Sequence, residues 1–159
     1  MTDFKPRLLA SVRTLLAALL LGLWVAGPGA TADIRMVSID RPTVHMRAGP
    51  GTSYDVLWNL ARGYPLQVIG RDRGWLKVRD FEDDVGWVLA RLTGRKPHLV
   101  VKTEVLNIRS GPDTDARIVG RATYGEVLRT QQHKGSWVRV QRQPDGPTGW
   151  VARRLTWGW

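Results

Sequence analysis

The 159-residue chain contains no cysteine. That absence excludes disulfide frameworks, thiol nucleophiles, thiolate metal sites and a lipidated N-terminal cysteine. Histidine is scarce, with three in all. His45, His98 and His133 are expected in a strand, a linker and a hairpin loop, and no pair has metal-ligand spacing. No GxSxG or HExxH occurs, and Gly49-Pro50-Gly51 lacks the Gly-Lys-Ser/Thr ending of a phosphate-binding loop. No enzyme activity, cofactor or metal is therefore expected. Long apolar faces of helical period are missing after residue 30, which excludes helix bundles and coiled coils. Acidic residues are in deficit: 14 Asp and Glu stand against 24 Lys and Arg, for a net charge of +10. Such a surplus draws anionic partners through a field that salt screens, and it specifies no fold.

What is present argues for a folded chain of short strands. A hydrophobic share of 43% with 24% charged residues is too apolar for disorder and too interrupted for a polytopic membrane protein. Seventeen Gly and nine Pro punctuate it with turns. The N-terminus has the order of a secretory signal: Lys5, Arg7 and Arg13, an apolar run from Leu15 to Ala26, then Gly27-Pro28-Gly29 and the small residues Ala30 and Ala32. The apolar run is shorter than the ~20 residues a spanning helix needs. A cleaved signal helix over residues 1–32, cut after Ala32, and a periplasmic or secreted product without a transmembrane anchor are expected.

The remainder repeats itself. Arg47, Gly49, Pro50, Gly63, Leu66, Trp75 and Val78 recur 62 residues later as Arg109, Gly111, Pro112, Gly125, Leu128, Trp137 and Val140. After one inserted residue, Gly86-Trp87-Val88 and Leu92 recur as Gly149-Trp150-Val151 and Leu155. The organisation expected is a domain at 33–93, a basic linker at 94–97 and a second domain at 98–159. In each, Val44 and Met46, or Leu106 and Ile108, alternate with polar neighbours, as do Leu76 and Val78, or Val138 and Val140. This is the period of half-buried antiparallel strands. A long loop is expected after Gly49 and after Gly111. Trp87 and Trp150, inside short apolar strands, are expected in the core.

VHMRAGPG (44–51) and LNIRSGP (106–112), each followed by a Trp-bearing strand, GWV and a leucine, resemble the bacterial SH3-like domain family. The resemblance implies an all-β fold of two tandem SH3-like five-stranded small barrels. It also implies a non-catalytic, exported module for peptidoglycan or other envelope peptides and glycans, the alternative being an adaptor for an envelope enzyme or secretion component. Leu89 and Ala152 stand where the eukaryotic groove has its proline, and Leu92 and Leu155 where it has a tyrosine. Proline-rich peptides are therefore not the expected ligand. Export also argues against nucleic acid. Oligomeric state is left open.

Candidate ligand contacts follow from aromatic placement. Tyr54, Trp58 and Tyr64 occur only in the first repeat, whereas the second has Ala116, Gly120 and Glu126. Trp75 and Trp137 fall on the outer face of their strands, and Tyr124 is the second repeat's own loop aromatic. Lys77, Arg117, Arg121 and Arg139 are the candidate basic contacts. A shared platform of Tyr54, Trp58, Tyr64 and Trp75 is expected. Arg47 and Arg109 are expected to bond loop carbonyls, and Asp80 to Asp84 (DFEDD) to form a solvated loop without bound calcium.

Overall fold

The computed structural model describes residues 35–142 and 145–159, so the predicted signal segment lies outside the described residues. The first repeat comprises β1 (Met36–Ile39), β2 (Thr43–Arg47), β3 (Val56–Ala61), β4 (Pro65–Asp72), β5 (Trp75–Arg79), β6 (Val85–Leu89), a 3-10 turn (Ala90–Leu92) and β7 (Thr93–Gly94). The second comprises β8 (His98–Val101), β9 (Val105–Arg109), β10 (Ile118–Thr123), β11 (Val127–Lys134), β12 (Trp137–Arg142), β13 (Thr148–Ala152), a 3-10 turn (Arg153–Leu155) and β14 (Thr156–Gly158). Each forms one seven-stranded sheet with the same order, β3-β2-β6-β5-β4-β1-β7 and β10-β9-β13-β12-β11-β8-β14. The ladders are antiparallel, as the alternation predicts.

The strand count exceeds the five expected. The long loops after Gly49 and Gly111 each contain a strand, β3 and β10. In β3 (VLWNLA) only Leu60 is buried, so no alternation of two announces it. One core cluster per repeat draws on six strands. In the first it contains Val37, Val44, Met46, Leu60, Leu66, Val78 and Val88. The second mirrors it with Leu99, Leu106, Ile108, Ala122, Leu128, Val140 and Val151.

Trp87 and Trp150 are not in either core. Both are half-buried, and the inward positions are their neighbours Gly86 and Val88, Gly149 and Val151. Glycine is required there because a side chain would collide: a Cβ on Gly86 would lie 2.5 Å from Met46 Cγ, and one on Gly149 2.5 Å from the Arg109 carbonyl. The tryptophans accordingly face outward, Trp87 between Arg47 and Lys77 in the register and Trp150 between Arg109 and Arg139.

Candidate functional site

The arginines ahead of the loop glycines act alike in both repeats. Arg47 Nη1 donates to the Tyr54 carbonyl and Arg109 Nη1 to the Ala116 carbonyl, each at 2.8 Å. The loops are thereby tied to β2 and β9. Beyond this shared frame the repeats diverge.

In the first repeat Trp58 and Tyr64 line a hollow of about 150 Å³ with Asn59, Leu60, Asp80 and Glu82. Trp58 pairs with Met46 in the ladder and lies two residues before buried Leu60, so it sits on the core face of the sheet. It lies at the rim, 54% exposed. Its counterpart, Gly120, pairs with Ile108 across an equivalent bulge. A Cβ there would meet Pro147 Cγ at 2.6 Å. Pro147 therefore leaves no room for a side chain at the position that Trp58 holds in the first repeat.

The hollow's wall is held by Asp80, which is buried at 4% exposure rather than solvated as expected. Its Oδ2 accepts from the Tyr64 hydroxyl at 3.1 Å, and its Oδ1 from the Glu82 and Asp84 amides at 2.9 and 3.0 Å. Backbone amides that would otherwise face inward thus draw the carboxylate under the loop. Burial raises the Asp80 carboxyl above its ordinary value against the opposing pull of those hydrogen bonds. Burial, then the neighbouring Asp80 carboxylate, pushes the Tyr64 phenol far upward, so it remains a neutral donor. At the equivalent positions of the second repeat Glu126 pairs with Arg142. One polar contact is thus built from two chemistries.

Residues 33–159 form one compact unit, and within it Tyr124 of the second repeat reaches this wall. Its hydroxyl donates to Glu82 Oε1 at 2.6 Å, and this bond raises its phenol above the ordinary range. Its ring meets Phe81 at a tilt of 58° with centroids 5.4 Å apart, and Phe81 approaches Tyr64 at 6.3 Å. Phe81, Asp80 and Glu82 were not among the sequence-derived candidates. The internal alignment carries the signal for Asp80, since Tyr64 and Asp80 change together to Glu126 and Arg142.

The remaining candidates lie elsewhere. Tyr54 is exposed and covers Gly49 and Gly51 in its loop. Trp75 alternates with buried Leu76, which sets it on the face opposite Trp58. The expected four-residue platform is therefore divided: Trp58 and Tyr64 share the hollow, whereas Tyr54 and Trp75 are outside its lining. Trp137 repeats the placement of Trp75, opposite Ala152. Lys77 pairs with Trp87 and Arg139 with Trp150 on the outer faces. Arg121 lies across from Asn107, its Nε 3.4 Å from Oδ1, and Arg117 is exposed in the loop before β10. Among the described residues Asp80, Glu82 and Asp84 are carboxylates close enough together to share a cation, and Asp80 is already committed to three donors.

The chain is similar to a protein of Bacillus subtilis (strain 168) provisionally named N-acetylmuramoyl-L-alanine amidase YrvJ, at 23% identity over 120 residues. The match covers 69% of this chain and 23% of that relative's length. Among solved structures it aligns with NlpC2 from Trichomonas vaginalis at 14% identity and a TM-score of 0.35, covering 78% of this chain and 48% of the other. An NlpC/P60 family protein from Bacillus cereus ATCC 10987 aligns at 13% identity and a TM-score of 0.37, covering 79% and 56%. The family model described as bacterial SH3 domain matches twice, over residues 42–93 and 104–156. These stretches fall on the two seven-stranded sheets and make up more than half of the sequence, and by them the chain belongs to the bacterial SH3 domain family, as a tandem pair.

Proposed function

We propose that this tandem pair is a non-catalytic binding module of the bacterial envelope. It holds a peptide or glycan portion of peptidoglycan at the Trp58–Tyr64 hollow of the first repeat. The observation that carries the proposal is the asymmetry at one position: Trp58 stands exposed over a hollow, and in the second repeat the position is Gly120, held against Pro147 with no room for a side chain. A fold requirement would act on both copies, whereas a ligand surface needs only one. An exposed indole beside a phenol and carboxylates suits a sugar face or a peptide plane with polar edges. The name of the Bacillus subtilis relative, an amidase of N-acetylmuramoyl-L-alanine, supports a wall setting. Lys77, Arg117, Arg121 and Arg139 supply salt-sensitive attraction to anionic surroundings. Export by the signal at residues 1–32, with cleavage after Ala32 and a periplasmic or secreted product, belongs to the same reading. Co-sedimentation with purified sacculi at low and high salt tests it: binding retained at high salt is expected, and binding abolished by salt leaves charge alone.

A second reading, an adaptor for an envelope protein, draws on Val56 and Leu57, both 43% exposed on the edge strand β3 beside Trp58. An unpaired edge with apolar side chains accepts an added strand. Crosslinking to soluble envelope proteins in the absence of sacculi would favour it.

A further inference from the structure

Two cationic hollows flank β1 and the linker, and the larger reaches the second repeat. The larger, about 460 Å³, is lined by Arg41 and Arg62 of the first repeat, Lys96 of the linker and Arg129 of the second. Asp40 is the only carboxylate in that lining, and Lys96 lies 3.5 Å from it. The smaller, about 180 Å³, is lined by Arg35, Arg71 and Arg95 with no carboxylate. Among the described residues no carboxylate lies within ion-pair distance of Arg41, Arg62, Arg129, Arg35, Arg71 or Arg95. Consecutive linker residues, Arg95 and Lys96, supply one cation to each hollow.

The floor is built rather than accidental. Ser38 Oγ and His98 Nδ1 both bond the Lys96 carbonyl, at 2.8 and 2.9 Å, which fixes the linker between β1 and β8. His98 is buried, and burial together with the field of Arg129 and Lys96 holds it below its ordinary value. It therefore adds no charge, and the arginines carry the field. Consecutive residues of β1 line the two hollows, Val37 the smaller and Ser38 the larger.

We propose that this pair of hollows binds a linear chain of phosphates, with phosphate oxygens held by guanidinium forks in both. Guanidinium presents paired donors matched to phosphate oxygens, and cations gathered across two hollows exceed what one carboxylate neutralises. Neither lining contains Phe, Tyr or Trp, so the site offers no stacking surface for bases. A phosphate polymer without bases fits, and a nucleic acid does not. The larger hollow draws His98 and Arg129 from the second repeat, whereas the smaller is lined by the first repeat and the linker, so the full set of cations requires both copies. The Trp58 hollow takes no part in this site.

The test is calorimetric titration of the full chain with inorganic tripolyphosphate. Arg62→Gln with Arg129→Gln should weaken binding by about tenfold or more, because two phosphate contacts are lost. Both residues are exposed, and the unfolding midpoint should stay unchanged. Lys102→Gln with Lys134→Gln, equally exposed and outside the lining, should stay within about twofold, and orthophosphate should bind about tenfold more weakly than the chain. Equal losses in the two double variants would overturn the site. So would orthophosphate binding as tightly as tripolyphosphate, or a single-stranded oligonucleotide of matched charge binding more tightly than polyphosphate.

Discussion

Replacing Asp80 probes the buried wall of the hollow apart from its exposed aromatic rim. The carboxylate is 4% exposed and accepts from the Tyr64 hydroxyl and the amides of Glu82 and Asp84. Asp80→Ala leaves three donors without their acceptor, of which the two loop amides can regain water. A hydrogen bond to a charged group contributes about 1.5–3 kcal/mol, and relief of carboxylate desolvation offsets part of the loss, so a net cost of about 2–4 kcal/mol is expected. Asp80→Asn keeps an oxygen toward both amides, and its cost should be about 1 kcal/mol. The variants also differ in pH dependence. The folded-state carboxyl is raised, so the folded chain binds the proton more readily than the unfolded chain. The corresponding stability is present below the unfolded carboxyl range and is lost as pH rises through the folded value. Urea unfolding of wild type and Asp80→Asn from about pH 7 to about pH 4 should show the wild type gaining on the variant as pH falls. A wild type that loses ground on acidification would refute the reasoning, because it would mean that hydrogen bonding outweighs burial at this carboxyl.

Three further outcomes follow from packing and sequence. Met46→Ala, in the core, should cost about 2–5 kcal/mol, and Trp87→Ala, on the outer face, about 2 kcal/mol or less; thermal unfolding that ranks them the other way would contradict the assigned phase of β6. Gly149→Ala should destabilise the second repeat by about 1–3 kcal/mol, since its Cβ would lie 2.6 Å from Ile108 Cγ2, and an unchanged urea midpoint would show that β9 gives way freely. N-terminal sequencing of the exported product should begin at Asp33, and a product retaining Leu15 to Ala26 would exclude cleavage at Ala32.

Much of the frame was legible because alternation and repetition report burial directly. Val44, Met46, Leu76 and Val78 face inward, as do Leu106, Ile108, Val138 and Val140. Arg47 and Arg109 bond loop carbonyls as their recurrence suggested. The phase of Gly-Trp-Val was not legible. An apolar triplet does not reveal which residue points inward when the inward position is a glycine pressed against Met46. β3 was hidden because its apolar residues Val56, Leu57 and Trp58 are exposed and only Leu60 is buried. The aromatic asymmetry between the copies singled out Trp58 and Tyr64, which line one hollow, whereas Trp75 lies on the other face because it alternates with Leu76 and Trp58 shares the side of Leu60. Asp80 read as one of several loop acids because burial of a carboxylate depends on donors, Tyr64 and two amides, that only the folded loop brings to it.

The central claim is an aromatic site in the first repeat, and sacculus affinity of the full chain carrying Trp58→Ala tests it most directly. The account predicts a loss of about 1–3 kcal/mol, roughly five- to hundredfold, with the thermal midpoint unchanged, and a Lys134→Gln control within about twofold. Binding by Trp58→Ala equal to wild type, or weakened no more than in the lysine variant, would contradict it.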